Sequence, residues 1–328
     1  MEKLSYRPGD QFIPIPPSEK NLPTVVAEKF FHVSDANHNT LEGLCFDRTG
    51  ENLYFVDCME KNAVMRLNVE TKKLTEIIRL TGEPQVSAVK IHKDGRIFIA
   101  CCSHDWIKAG CVIACNPDGS NPVKIIDEDA RKGGLKGYVV DDMVFDSKGG
   151  FYITDFIGWT TDPTGGVYYV SPDYKTITPV ITNMAAPNGV ALSPDESILW
   201  VTETLTGRVI RIALNPDGIT YPAFGTAVVY HTTGWLGPDS INTDADGNVY
   251  AACYGQARVM IFNSSGWPIG QVLLPDREKG LWIHSSHAVV RPGTQDLYIC
   301  SAGIRNEGTA IFRAGVFAGA NMNSYQFL

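Results

Sequence analysis

Six segments of the chain share one plan: a polar residue, a few apolar positions, a turn carrying Asp or Gly, and a second apolar run. They begin at Glu42 ("EGLCFDRTGENLYFVD"), Ser87 ("SAVKIHKDGRIFIAC"), Asp141 ("DDMVFDSKGGFYITD"), Asn188 ("NGVALSPDESILWVTE"), Asp239 ("DSINTDADGNVYAAC") and His287 ("HAVVRPGTQDLYICS"). The equivalent first positions therefore supply three carboxylates and an amide, with a hydroxyl and an imidazole. Carboxylates that converge in a narrow space repel one another and lose solvation, so their pKa values rise unless a counter-charge is present. A bound cation is the simplest remedy. The oxygen-dominated set suits a hard ion of flexible coordination, Ca²⁺ before Mg²⁺, and lacks the nitrogen and sulfur that zinc prefers. The plainer alternative is that these side chains only hydrogen-bond across the centre of the fold.

What would bring the six positions together is the period. Their starts lie about 45 to 55 residues apart, the range of propeller blades rather than of helical solenoids. Each unit continues into two more strand-like runs, as in "GGVYYVSPDYKTITPVI" and "GRVIRIALNPDGITYPAF". The expected fold is all-β, a six-bladed β-propeller with four antiparallel strands per blade. Its innermost strands surround an axis, and their first residues meet at one end of it. Residues 1–24, rich in proline, read as a surface arm, and residues 25–328 as one propeller domain. Residues 25–33, "VVAEKFFHV", are placed to supply the outer strand of the last blade and close the ring.

Composition narrows the partners. The chain has 328 residues, 44% of them hydrophobic, and a formal net charge of −8. That balance offers no electrostatic footprint for nucleic acid or an anionic membrane, and points to a small molecule or a cation. No apolar run is long enough to span a bilayer, and the first residues lack a secretion pattern, so a soluble cytoplasmic protein is expected. The eight cysteines sit mostly inside strand-like runs such as "FIACC" and "LYIC", where free cysteine acts as a small buried hydrophobe.

The wording and order of "LEGLCFD", "IHKDGR", "DDMVFDSKGGFYITDF", "GGVYYVSPD", "LWVTET", "GPDS" and "YGQARV" resemble the senescence-marker-protein/gluconolactonase family of six-bladed calcium-dependent lactonases, and within it the bacterial drug-responsive branch. The likeness spans nearly the whole chain. It implies a lactone hydrolase in which Glu42, Asn188 and Asp239 bind the catalytic Ca²⁺ directly. Asp141, and Ser240 beside Asp239, complete the surroundings of the ion. Asp239 also takes the family's role of catalytic acid/base. His287, aligned as the sixth member, is expected to orient water or substrate, or to be a hydrogen-bonded channel histidine.

There are departures. Sugar-lactone members carry an arginine two residues before the third-blade acid, and that position is Val139 here. The expected substrate is accordingly a flatter, more apolar lactone, walled by Tyr138, Phe156, Trp159 and Trp235. The branch's second, structural calcium has partial counterparts in Gly110, Tyr138 and one acid of "IIDEDA", Asp127 or Asp129. Lys108 and Lys136 replace its hydroxyl positions and oppose an ion by charge, so the expectation is against full occupancy. Two other functions fit the same residues: a calcium-binding propeller without turnover, and a calcium-dependent phosphotriesterase.

Overall fold

The inner hairpin of a blade closes on an Asx turn wherever the sequence offers Asp followed by Gly. Asp47 Oδ1 accepts the Glu51 N–H at 3.0 Å, Asp146 Oδ1 the Gly150 N–H at 2.8 Å, and Asp244 Oδ1 the Asn248 N–H at 2.8 Å. Gly50, Gly149 and Gly247 take the positive φ (72°, 107° and 77°) that these turns require. In the computed structural model, which describes residues 3–6, 12–36, 40–82, 84–103, 109–127 and 137–322, these hairpins begin six antiparallel sheets. The inner strands are Leu41–Phe46, Gln85–Ile91, Val140–Phe145, Pro187–Leu192, Pro238–Thr243 and His284–Val290. Each touches the next, and the sixth touches the first, so the sheets form a closed ring. The fold is the six-bladed propeller expected from the repeat.

Six buried clusters hold the ring, one between each pair of neighbouring blades. Between blades one and two, for example, Val56, Val64, Val89 and Ile99 meet fully buried, and between blades four and five Trp200, Met260 and Phe262 do so. The period-two alternation of each strand supplies one face to each flanking cluster. Near the axis the strands come closer than side chains allow: a Cβ on Gly43 would lie 2.5 Å from Ala88 Cα. Glycine directly after Glu42 is therefore what lets blades one and two meet.

Two N-terminal strands complete the outer edges. Glu28–Ser34 pairs antiparallel with Thr309–Gly315 and becomes the fourth strand of blade six. Thr24–Val26 instead runs parallel to Pro268–Leu273, as a fifth strand on blade five. Just before it, a single 3₁₀ turn, Pro17–Glu19, buries the Glu19 carboxylate against the Arg258 guanidinium and the Tyr230 hydroxyl. No helix among the described residues is long and apolar enough to cross a membrane.

Candidate active site and cation-binding ring

Every inner strand slips register close to its start. Such bulges leave one or two residues out of the ladder and re-aim their side chains. Ser87, Asp141, Asn188, Asp239 and Ser286 are all skipped in this way, between the pairs Val86/Ala88, Val140/Met143, Pro187/Val190, Pro238/Ile241 and Ser285/His287. In blade one the slip lies just beyond Glu42, between Glu42 and Cys45. Local backbone irregularity is thus what turns these residues toward the axis.

The sixth member of the ring is Ser286, a correction to the expected His287. The hairpin-closing N–H falls on Asp47, His92, Asp146, Ser193 and Asp244, five residues beyond Glu42, Ser87, Asp141, Asn188 and Asp239, and in blade six it falls on Arg291. Counting back five from Arg291 gives Ser286. Its hydroxyl donates to Leu41 O at 2.5 Å and also hydrogen-bonds Glu42. His287 is paired with Cys300 in the strand ladder and fully buried, with neither ring nitrogen hydrogen-bonded among the described residues. It lies outside the cavity wall.

Glu42, Ser87, Asp141, Asn188 and Asp239 form the polar end of a cavity of about 540 Å³. Burial raises Glu42 well above the usual carboxylate range, and the charges of Asp239, Asp141 and Asp142 add to this, with the Ser286 hydrogen bond opposing. Asp239 is raised by burial and then by Asp141, while a hydrogen bond from Asn188 opposes. Burial, followed by the neighbouring charge of Asp142, pushes Asp141 up to about 8. Three acids so close cannot all stay ionised without a positive partner. One sits below them: Lys90 Nζ is 3.2 Å from Asp142 Oδ1, with both side chains almost fully buried.

The donor chemistry fits a hard cation. Asn188 bonds to Asp239 through its side chain, yet its Oδ1 is buried without a hydrogen-bond partner among the described residues. A buried amide oxygen left in that state costs free energy, and it faces the same space as the acids. Among the described residues no three His, Cys, Asp or Glu side chains form a ready-made metal cluster. Ser240 is buried behind Asp239, its Cα against Gly189, and is not part of the cavity wall.

The rest of the wall is mostly apolar, and among the described residues no Lys, Arg or His lines it. Phe156 and Trp159 are there as expected, with Trp159 60% exposed at the mouth. Tyr138 is absent from it: its ring packs edge-on against Tyr168 at 4.8 Å in the core, and its carbonyl accepts the Gly110 N–H at 2.8 Å. Trp235 faces a neighbouring cavity of about 480 Å³ with Phe12, Arg277 and Arg305. Of the residues named for a second ion, Asp127 is surface-exposed, and Asp129, Lys108 and Lys136 lie outside the described residues.

Sequence reasoning missed Thr40, Met59, Ile157, Leu205, Leu236 and Tyr254, which also line the cavity. Part of this was readable. The residue just past the second strand of a blade recurs in the wall as Cys58, Phe156, Thr204 and Tyr254. The repeat, extended by one position, marks that layer.

The fold is thus a closed propeller whose axial cavity is apolar at the mouth and ends in a ring of oxygen donors. The chain belongs to the SMP-30/gluconolactonase/LRE-like family, whose pattern matches residues 40–303. It is 45% identical over 326 residues to Lactonase drp35 of Staphylococcus saprophyticus, covering 99% of this chain and 97% of that protein. It is 46% identical over 331 residues to Lactonase drp35 of Staphylococcus haemolyticus, covering 100% and 98%. Among solved structures it is similar to a calcium-binding protein, regucalcin, from Agrobacterium tumefaciens, with a TM-score of 0.71 over 91% of this chain and 99% of that one. At 16% identity that likeness concerns the fold alone.

Proposed function

We propose that this protein is a calcium-dependent lactonase, a carboxylic ester hydrolase that opens small, largely apolar lactones. The observation that carries this reading is the floor of the cavity, where Glu42, Asp141 and Asp239 lie with an Asn188 oxygen that has no hydrogen-bond partner among the described residues, beneath walls to which no described Lys, Arg or His contributes. The near-full-length relatives named lactonase support the reaction class. Glu42, Asp141, Asn188 and Asp239 are the residues that would hold Ca²⁺, with Ser240 supporting Asp239 from behind. When bound, the ion supplies positive charge that polarises the lactone carbonyl and lets the acids remain ionised.

Asp239 removes the proton from the attacking water, and Asn188 holds its carboxylate in place for that step. Phe156, Trp159 and Leu236 take up the hydrocarbon part of the substrate and exclude bulk water. Among the described residues no cationic side chain lines the wall to select an acidic substituent. All eight cysteines are buried and outside disulfides, which suits a reducing cytoplasm.

The test is turnover of a lactone panel by wild type and Asp239→Asn. Wild type should hydrolyse apolar lactones, and the variant should lose about 10²- to 10⁴-fold in kcat, the usual weight of a general base. Wild-type protein that binds Ca²⁺ yet turns over no lactone in the panel would contradict the reading.

A further inference from the structure

Lactone opening needs two proton movements, one off the attacking water and one onto the departing ring oxygen. Asp239 accounts for the first. A second group belongs where it can reach the ring oxygen while Asp239 holds the water's proton.

The layer just above the acids contains such a group. In that layer Cys58 and Phe156 offer no hydroxyl, and the Thr204 hydroxyl is already given to Pro238 O at 2.9 Å. Tyr254 is different. It follows the second strand of blade five, lines the cavity, and is close enough to Asp239 and Glu42 for their charges to act on its phenol. Its hydroxyl is 3.0 Å from Nδ1 of His284, the first residue of blade six's inner strand, and also hydrogen-bonds Thr40. The two rings stack at 4.2 Å with an interplanar angle of 14°, and a backbone bridge joins the two residues. The stack and the backbone bridge thus fix the Tyr254 ring at the cavity wall.

We propose that Tyr254 is a second catalytic residue, the proton donor to the departing ring oxygen, and that His284 is the positioning residue that holds its ring. This rests on the lactonase reading. Water adds to the carbonyl carbon and gives its proton to Asp239. As the tetrahedral adduct collapses, the bond from the carbonyl carbon to the ring oxygen breaks and that oxygen takes the Tyr254 proton. The tyrosinate recovers a proton from water. Asp239 and the new carboxylic acid release theirs to solvent, so the net change is lactone plus water to hydroxy-carboxylate plus one proton.

The experiment varies the leaving group. An aliphatic lactone departs as a basic alkoxide and needs the proton; a lactone whose ring oxygen is borne by benzene departs as a phenoxide and hardly does. Tyr254→Phe should lose about 10²-fold or more in kcat on the aliphatic lactone and less than about threefold on the phenolic one. His284→Gln should show the same selectivity with a smaller loss. Thermal unfolding checks that both variants keep their fold, and His284→Gln alone carries the test if Tyr254→Phe does not fold. Equal losses on both lactones, or no loss on either, would overturn the role of Tyr254 and leave the lactonase reading standing. Failure of wild type on both lactones would overturn the lactonase reading, and this proposal with it.

Discussion

Lys90 and Asp142 face each other across the inner strands of blades two and three, Nζ to Oδ1 at 3.2 Å and 7% and 1% exposed. Asp142 Oδ1 also accepts the Met143 N–H at 2.8 Å. Removing one partner from a buried pair leaves the other charge uncompensated, at about 3–5 kcal/mol. Lys90→Met should therefore lower the unfolding free energy by about that much in a denaturant titration, and Lys90→Met with Asp142→Leu should recover most of it. An unchanged midpoint in the single variant would show that the pair contributes nothing.

A pH response is built in beside it. His92 stacks on Phe98 at 5.1 Å and lies edge-on to Phe145, near Asp94, Arg96, Lys93 and the Tyr174 hydroxyl. Burial lowers its pKa despite the opposing hydrogen bond to the Asp94 carboxylate. The unfolded chain thus binds the His92 proton more readily, and stability falls as pH drops below about 6.5. Asp94 adds a second loss in strong acid: burial raises it, but hydrogen bonds from Arg96 and His92 prevail and hold it at about 2, so its contribution disappears between about pH 4 and 2. Calorimetric Tm from pH 7.5 to 5 should slope less steeply in His92→Gln than in wild type; parallel slopes would count against this assignment.

The N-terminal segment carries stability over a long sequence distance. Glu19 pairs with Arg258, 239 residues away, and its carbonyl accepts Gln271 Nε2 at 3.1 Å. Deleting residues 1–26 leaves the Arg258 guanidinium, 2% exposed, without its carboxylate and bares the outer edge of blade five. The truncated protein should unfold at lower denaturant and associate in size-exclusion chromatography. A monomer of wild-type stability would contradict this.

Trp159 tests the mouth of the cavity. Held by paired backbone hydrogen bonds with Asp162 at 2.9 and 3.0 Å, it forms one wall while 60% exposed. Trp159→Ala should raise KM for an apolar lactone roughly tenfold with kcat largely kept, as for contacts made equally in ground and transition states. A loss confined to kcat would place Trp159 in the chemical step instead.

The ring was legible because its turns are chemical: Asp47, Asp146 and Asp244 each announce a hairpin in one-letter code, and the residues five positions earlier follow by counting. The same counting failed by one at blade six, where "SSHAVV" offers a histidine next to the serine that the bulge turns inward. A bulge has no residue signature there, and His287 was the more chemical-looking neighbour. Trp235 and Tyr138 were misplaced for a related reason: the side of a loop or strand that a ring occupies depends on packing partners such as Tyr168, far along the chain. Glu19 was invisible because its partners, Tyr230, Arg258 and Gln271, meet it only through tertiary structure.

The most direct measurement of the central claim is lactone hydrolysis followed while Ca²⁺ is titrated into chelator-stripped protein. The rate should rise from near zero to a saturating plateau in wild type, with Glu42→Gln and Asn188→Ala needing much higher Ca²⁺ to reach it. Full hydrolysis by stripped wild-type protein, with no response to added Ca²⁺, would contradict a cation held by Glu42, Asp141, Asn188 and Asp239 as the basis of the activity.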